Sequence, residues 1–123
     1  MFGSLSNSGD YSDQYLGTEV GNQSWLKFRD NPFYMTGKGK FWLDSDALHF
    51  RIYISSMPMA IPYHQIRSVS LGKTHAGHSL SEESILKVFW KKGGVELSSG
   101  FILCQSKTQI VETINLISKH AAI

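Results

Sequence analysis

Two histidines three positions apart, His75 and His78, are the first residues in this chain whose type and spacing suggest chemistry. Imidazoles ligate metals and move protons near neutrality. A metal site needs more ligands than two, and no local periodicity brings His64, Glu82 or Glu83 to the segment His75-Ala76-Gly77-His78. A polar loop hinged at Gly77 accounts for the same residues, so no metal is expected. Cys104, the only cysteine, follows the apolar run Phe101-Ile102-Leu103 and has Gln105 and Ser106 beside it. No base stands next to it to activate a thiolate, and a buried, inert thiol is expected. Asp44 and Asp46 share a turn, where short carboxylates bond turn amides. Gly37-Lys38-Gly39 lacks the following helix on which a phosphate cradle depends. Ser98-Ser99-Gly100 reads as strand, not as a nucleophile elbow. The expectation is a non-catalytic chain without cofactors. A deep polar pocket placing His64, His75 or His78 beside a carboxylate would reopen the catalytic reading.

The other chemistry available is charge recognition. Lys38 and Lys40 precede His49-Phe50-Arg51. On two adjacent strands Lys40, His49 and Arg51 would project from one face, where together they can contact a phosphate. Any solvated strand face has the same spelling. Trp42 shares that face and is a candidate anchor for a protein partner. Met57 and Met59, in Met57-Pro58-Met59, form an apolar loop and complete the candidate interaction surface. Packing under the leader is the alternative for Trp42, and Trp25 and Trp90 read as core or rim.

Composition limits the partners. A formal net charge of +2 over 123 residues is too small for a nucleic-acid sheath, but it permits attraction to anionic headgroups or acidic proteins. No apolar run approaches the roughly 18 residues of a membrane span. Met1-Phe2-Gly3-Ser4-Leu5 has no secretory character. With one cysteine there is no internal disulfide, and a cytoplasmic location is expected.

The elements that must position these residues follow from hydrophobic periodicity. Residues 1–24 are rich in Ser, Gly, Asn and Asp and read as a mobile or loosely docked leader. Tyr15, Leu16 and Val20 argue for the competing account, a short element covering a sheet edge. Residues 25–123 read as one domain. Trp25 to Phe28 can start a strand that Asp30-Asn31-Pro32 ends. Phe41 and Leu43 alternate with Lys40 and Trp42, and Leu48, Phe50, Ile52 and Ile54 with His49, Arg51 and Tyr53, giving a hairpin around Asp44-Ser45-Asp46. Pro58 and Pro62 confine Met59-Ala60-Ile61 to an edge. Ile66, Val69 and Leu71 make a strand, and Gly72 to Glu83 a long loop. Leu86, Val88 and Trp90 lead through Lys91-Lys92-Gly93-Gly94 into Val95, Leu97, Ser99, Phe101 and Leu103, a second hairpin. Ser106 and Gln109 form a capping box, and Ile110, Val111, Ile114 and Ile117 mark one face of a final helix.

Strands followed by one helix suit a barrel that the helix stoppers. Gly39-Lys40-Phe41-Trp42-Leu43-Asp44-Ser45-Asp46-Ala47-Leu48-His49-Phe50-Arg51 resembles the first hairpin of bacterial pleckstrin-homology (PH) and GRAM-type domains. Ala60-Ile61-Pro62-Tyr63-His64-Gln65-Ile66-Arg67-Ser68-Val69 resembles the family's passage between its third and fourth strands. The resemblance covers roughly residues 37–118. It implies a PH-like antiparallel barrel of about seven strands capped by one C-terminal α-helix. It also implies a headgroup site built from a lysine near the end of strand one and a basic-x-Arg pair in strand two, matched here by Lys38, Lys40 and Arg51, with His49 where a fixed cation would stand. The expected function is a PH-like interaction module acting through a protein partner or self-association. The alternative is a peripheral membrane module that binds anionic or phosphoinositide headgroups through Lys38, Lys40 and Arg51.

Overall fold

The computed structural model describes residues 12–21, 23–29, 32–55, 57–80 and 82–123. Residues 1–11 of the expected leader, and the side chain of Trp25, lie outside the described residues. The strands are β1 (Asp13–Val20), β2 (Gln23–Lys27), β3 (Gly37–Leu43), β4 (Ala47–Ile52), β5 (Met59–Pro62), β6 (Ile66–Gly72), β7 (Thr74–His75), β8 (His78–Ser79), β9 (Ile85–Lys92) and β10 (Val95–Ile102), followed by helix α1 (Lys107–Ala121). The main sheet is antiparallel and runs β5-β4-β3-β1-β10-β9-β6, with β2 pairing to β1 off that path.

Alternation decides which side chains face the core. Leu48, Phe50 and Ile52 on β4 and Leu86, Val88 and Trp90 on β9 are buried, as period-two patterning requires. Tyr15 of β1 sits between them, its ring centroid 6.0 Å from Phe50 and 5.4 Å from Phe101. Each fully buried side chain of this size contributes about 1.5–3 kcal/mol. The interior also holds a polar thread. The Tyr15 hydroxyl donates to the Phe33 carbonyl at 2.8 Å and lies 2.5 Å from the Thr18 hydroxyl, which lies 2.5 Å from that of Ser99. Trp90 Nε1–H donates to Ser99 at 2.9 Å, so these buried polar groups all have partners.

The structure corrects the leader. Residues 13–20 form β1, which lies inside the main sheet, pairing with β3 on one side and β10 on the other. Tyr15, Leu16, Thr18 and Glu19 are all buried. Its polar letters are satisfied across strands instead of by water, which is why composition alone makes it look like a tail.

The expected barrel is also corrected: the sheet is open. Its outer strands, β5 and β6, are consecutive in the chain but do not pair. Pro62 removes a ladder donor, and the 3₁₀ turn Tyr63–Gln65 swings the chain round the corner between them. Helix α1 packs there, against β6 and that turn. Ser106 accepts from Gln109 N–H while the Gln109 side chain accepts from Ser106 N–H, so the expected capping box forms. Ile110 and Ile117 are buried and Ile114 partly so. Val111, placed on the apolar face by spacing, is exposed, and Thr113 takes the buried position. The ring of His120 stacks on Tyr63 at 4.7 Å, pinning the end of the helix. No helix among the described residues is long and apolar enough to cross a membrane.

Candidate functional site

The face expected to carry charge is assembled by β3 and β4. Lys40 and Arg51 are register partners, and so are Trp42 and His49. One rung further along, the Tyr53 N–H donates to the Lys38 carbonyl at 3.1 Å. The outward side chains therefore form three rungs, Trp42 with His49, Lys40 with Arg51, and Lys38 beside Tyr53. Lys38, Lys40, Trp42, Arg51 and Tyr53 are exposed. Among the described residues, Lys38, Lys40 and Arg51 have no ion pair. Like charges held side by side without a counter-ion raise the local potential and draw in anions.

His49 is differently placed. Its ring stacks on Trp42 with centroids 5.0 Å apart and planes 6° from parallel, and its Nε2 lies 2.6 Å from Asp44 Oδ2. The amide N–H groups of Asp46 and then Ala47 hold the Asp44 carboxyl below its ordinary value, and His49 adds to that. Asp44 thus anchors the turn, and His49 serves the turn more than the open face. Trp42 keeps one side of its ring for solvent.

At the Lys38 end the strands give way to exposed apolar loops. The antiparallel register puts the segment before β3, the β4–β5 loop and the β9–β10 turn at one end of the sheet. Tyr34, Met35, Tyr53, Ile54 and Met57 are exposed there, Ile54 to 86%. The Arg29 guanidinium lies 5.3 Å over the Tyr34 ring. Met59, expected beside Met57, is instead buried at 3% exposure, because it begins β5 opposite Phe50 and faces the core. Helix α1 closes the opposite end, where the 44–46 turn meets Tyr63 through the bond from Tyr63 Oη–H to the Asp44 carbonyl at 2.7 Å.

A second constellation lies on the outside of β1 and β10, and it is the one that sequence reasoning missed. The stretch read as a long loop contains a small hairpin, β7 and β8, joined by Ala76 and Gly77. This hairpin delivers His75 to the outer face of the sheet. The ring is fully buried, with Nε2 2.9 Å from the Gly17 carbonyl and Nδ1 3.7 Å from Glu19 Oε1. Glu19, itself 3% exposed, accepts from Ala76 N–H at 2.7 Å and from the Ser98 hydroxyl at 3.2 Å. A cavity of about 440 Å³ opens above, walled by Thr74, His78, Ser79 and Lys87. No sequence period links Glu19 to His75, and Glu19 lies in the stretch whose composition reads as a leader.

This is a polar pocket with a histidine beside a carboxylate, the arrangement that would reopen a catalytic reading. Its geometry points elsewhere. A general base must reach the proton that it abstracts. Here Nε2 is held by a carbonyl, and Nδ1 is shut off from solvent with no hydrogen-bond partner. The imidazole acts as a cross-link. His78 is exposed at the rim, and among the described residues no three His, Cys, Asp or Glu side chains gather closely enough to hold a metal ion. Cys104, expected to be buried, is exposed, its N–H donating to Asp13 Oδ1 at 2.7 Å. Neither a family model nor a curated protein matches the chain.

Proposed function

We propose that this chain is a non-catalytic PH-like interaction module that docks on anionic membrane surfaces with the β3–β4 face and the apolar loops at its end. The observation that carries this reading is the continuity of three cations, Lys38, Lys40 and Arg51, with the exposed side chains of Tyr53, Ile54 and Met57. A surface that is basic along its flank and apolar at its tip matches a headgroup layer above acyl chains. The strand path, with one helix last, supports the PH-like architecture. Self-association through a sheet edge has less support: β5 has four residues, follows Pro58 and ends in Pro62, and β6 is the strand against which α1 packs.

The expected affinity is modest. Each Lys or Arg near an anionic surface contributes roughly 1 kcal/mol, and seating one large aliphatic side chain adds about 1.5–3 kcal/mol. Binding should therefore be reversible and sensitive to salt. Co-sedimentation with phosphatidylserine-containing vesicles, compared with pure phosphatidylcholine vesicles, tests it. Pelleting with the anionic vesicles alone, weakened as salt rises from about 0.1 M to about 0.5 M, supports the reading. Equal pelleting with both, or none with either, overturns it and leaves the face to a protein partner.

A further inference from the structure

The hairpin β7–β8 is a flap. It lies on the outer face of β1 and β10, where strand alternation sets Gly17, Glu19, Ser98 and Gly100, and it turns that face from solvated into buried. Among the described residues, two hydrogen bonds hold it down. The His75 ring fills the space over Gly100 that a Cβ there would need, and its Nε2 bonds the Gly17 carbonyl of the neighbouring strand. The Ala76 N–H reaches Glu19, which holds Ala76 in a left-handed conformation at φ 50° that costs a non-glycine residue roughly 1–2 kcal/mol. Among the described residues, the hydrogen bonds from the flap's tip to the sheet thus run through one imidazole and one carboxylate.

We infer that His75 is an acid-sensitive latch: its neutral ring holds the 74–79 flap on the sheet, and protonation lifts the flap from Glu19 and Ser98. The geometry gives the reason. With Nε2 bonded to a carbonyl, a second proton must go to Nδ1, which is buried and has no acceptor within bonding distance. The carboxylate oxygen beside it, Glu19 Oε1, is 3.7 Å away and already accepts from Ser98. A cation there would be enclosed and its Nδ1–H left without a hydrogen bond, and the one adjacent carboxylate, Glu19, only partly offsets the cost of burial. The charged or titratable groups facing His75 are Glu19 on β1, Lys87 on β9 and His78 on β8. Burial pushes its proton affinity down and Lys87 and His78 push the same way, against the Gly17 carbonyl and Glu19. The lifted flap would uncover a carboxylate and a hydroxyl on an outer face distinct from the β3–β4 surface.

Hydrogen exchange read out by mass spectrometry tests the latch in the full chain, with rates corrected for the intrinsic effect of pH. Moving from about pH 7.5 to about pH 5 should lower the protection of amides 74–79 at least about ten-fold, while amides of β9 and β10 keep theirs. In His75→Gln, which keeps a neutral donor for Gly17, flap protection should not depend on pH. Unchanged flap protection in the wild type, or an equal loss in His75→Gln, overturns the proposal. If that variant fails to fold, the wild-type comparison of flap with core decides alone.

Discussion

The ring of His75 occupies the space that a Cβ on Gly100 would need: an added methyl would fall well inside the van der Waals envelope of the ring's Cδ2, Cγ and Nε2. The glycine is required by a neighbour that arrives from a different part of the sequence. Gly100→Ala should therefore push the ring outward, break its bond to Gly17 and loosen Ala76 from Glu19, at a cost of about 2–4 kcal/mol. Gly72→Ala is the control, because a Cβ there meets the flexible end of Lys87 at 3.0 Å. Urea denaturation of both variants checks this. Equal losses would mean that the ring yields freely.

The same histidine sets a pH dependence. Its folded-state proton affinity lies below the ordinary histidine value of 6.5, burial being the largest cause. The unfolded chain then binds more protons than the folded one as pH falls. The stabilisation is present in full above the ordinary value and is lost as pH falls toward the folded value. Urea midpoints at about pH 7.5 and about pH 5.5 should show a loss in the wild type that shrinks in His75→Gln. Midpoints that rise on acidification would contradict the assignment.

Tyr15 links β1 to the loop before β3 through its hydrogen bond to the Phe33 carbonyl, and bonds Thr18 on its own strand. Tyr15→Phe keeps the ring contacts with Phe50 and Phe101 but takes the hydroxyl donor from the Phe33 carbonyl, while the Thr18 hydroxyl keeps Ser99. A loss of about 1–2 kcal/mol is expected by thermal or chemical denaturation. A neutral result would show that the thread re-pairs without the phenol.

Ile117 is fully buried on α1, which packs against β6 and the Tyr63–Gln65 turn. Ile117→Ala should cost about 2–5 kcal/mol, whereas Val111→Ala, on the exposed side, should change stability by less than about 0.5 kcal/mol. Comparable effects at the two positions would mean that the helix is not the closure of the core.

Much of the architecture was legible because it obeys single periods. Leu48, Phe50 and Ile52 declare β4 by alternation, Gly93-Gly94 takes the positive φ of its hairpin turn, and Ser106 with Gln109 marks the helix start. β1 was not legible because both its faces are covered: Tyr15, Thr18 and Val20 meet the core side, while Glu19 is covered by the flap. Two-sided burial, with the register shift at Leu16 that sets Tyr15 and Thr18 on one side, erases the alternation that betrays a strand. The flap was hidden for a related reason, since two strands of two residues are too short to show a period. Lys38, Lys40 and Arg51 were legible as a set because strand pairing was. The added weight of Ile54 was not, because its place in the apolar alternation with Leu48, Phe50 and Ile52 suggested burial until the strand was seen to end at Ile52.

The docking face has one decisive measurement: vesicle co-sedimentation of the wild type, the Lys40→Ala/Arg51→Ala double variant and Ile54→Asp, each with an unchanged melting temperature. Removing two adjacent cations should weaken binding to phosphatidylserine-containing vesicles about 30-fold, from roughly 1 kcal/mol each, and Ile54→Asp should weaken it at least as much. Binding that survives both changes at wild-type strength would contradict the account.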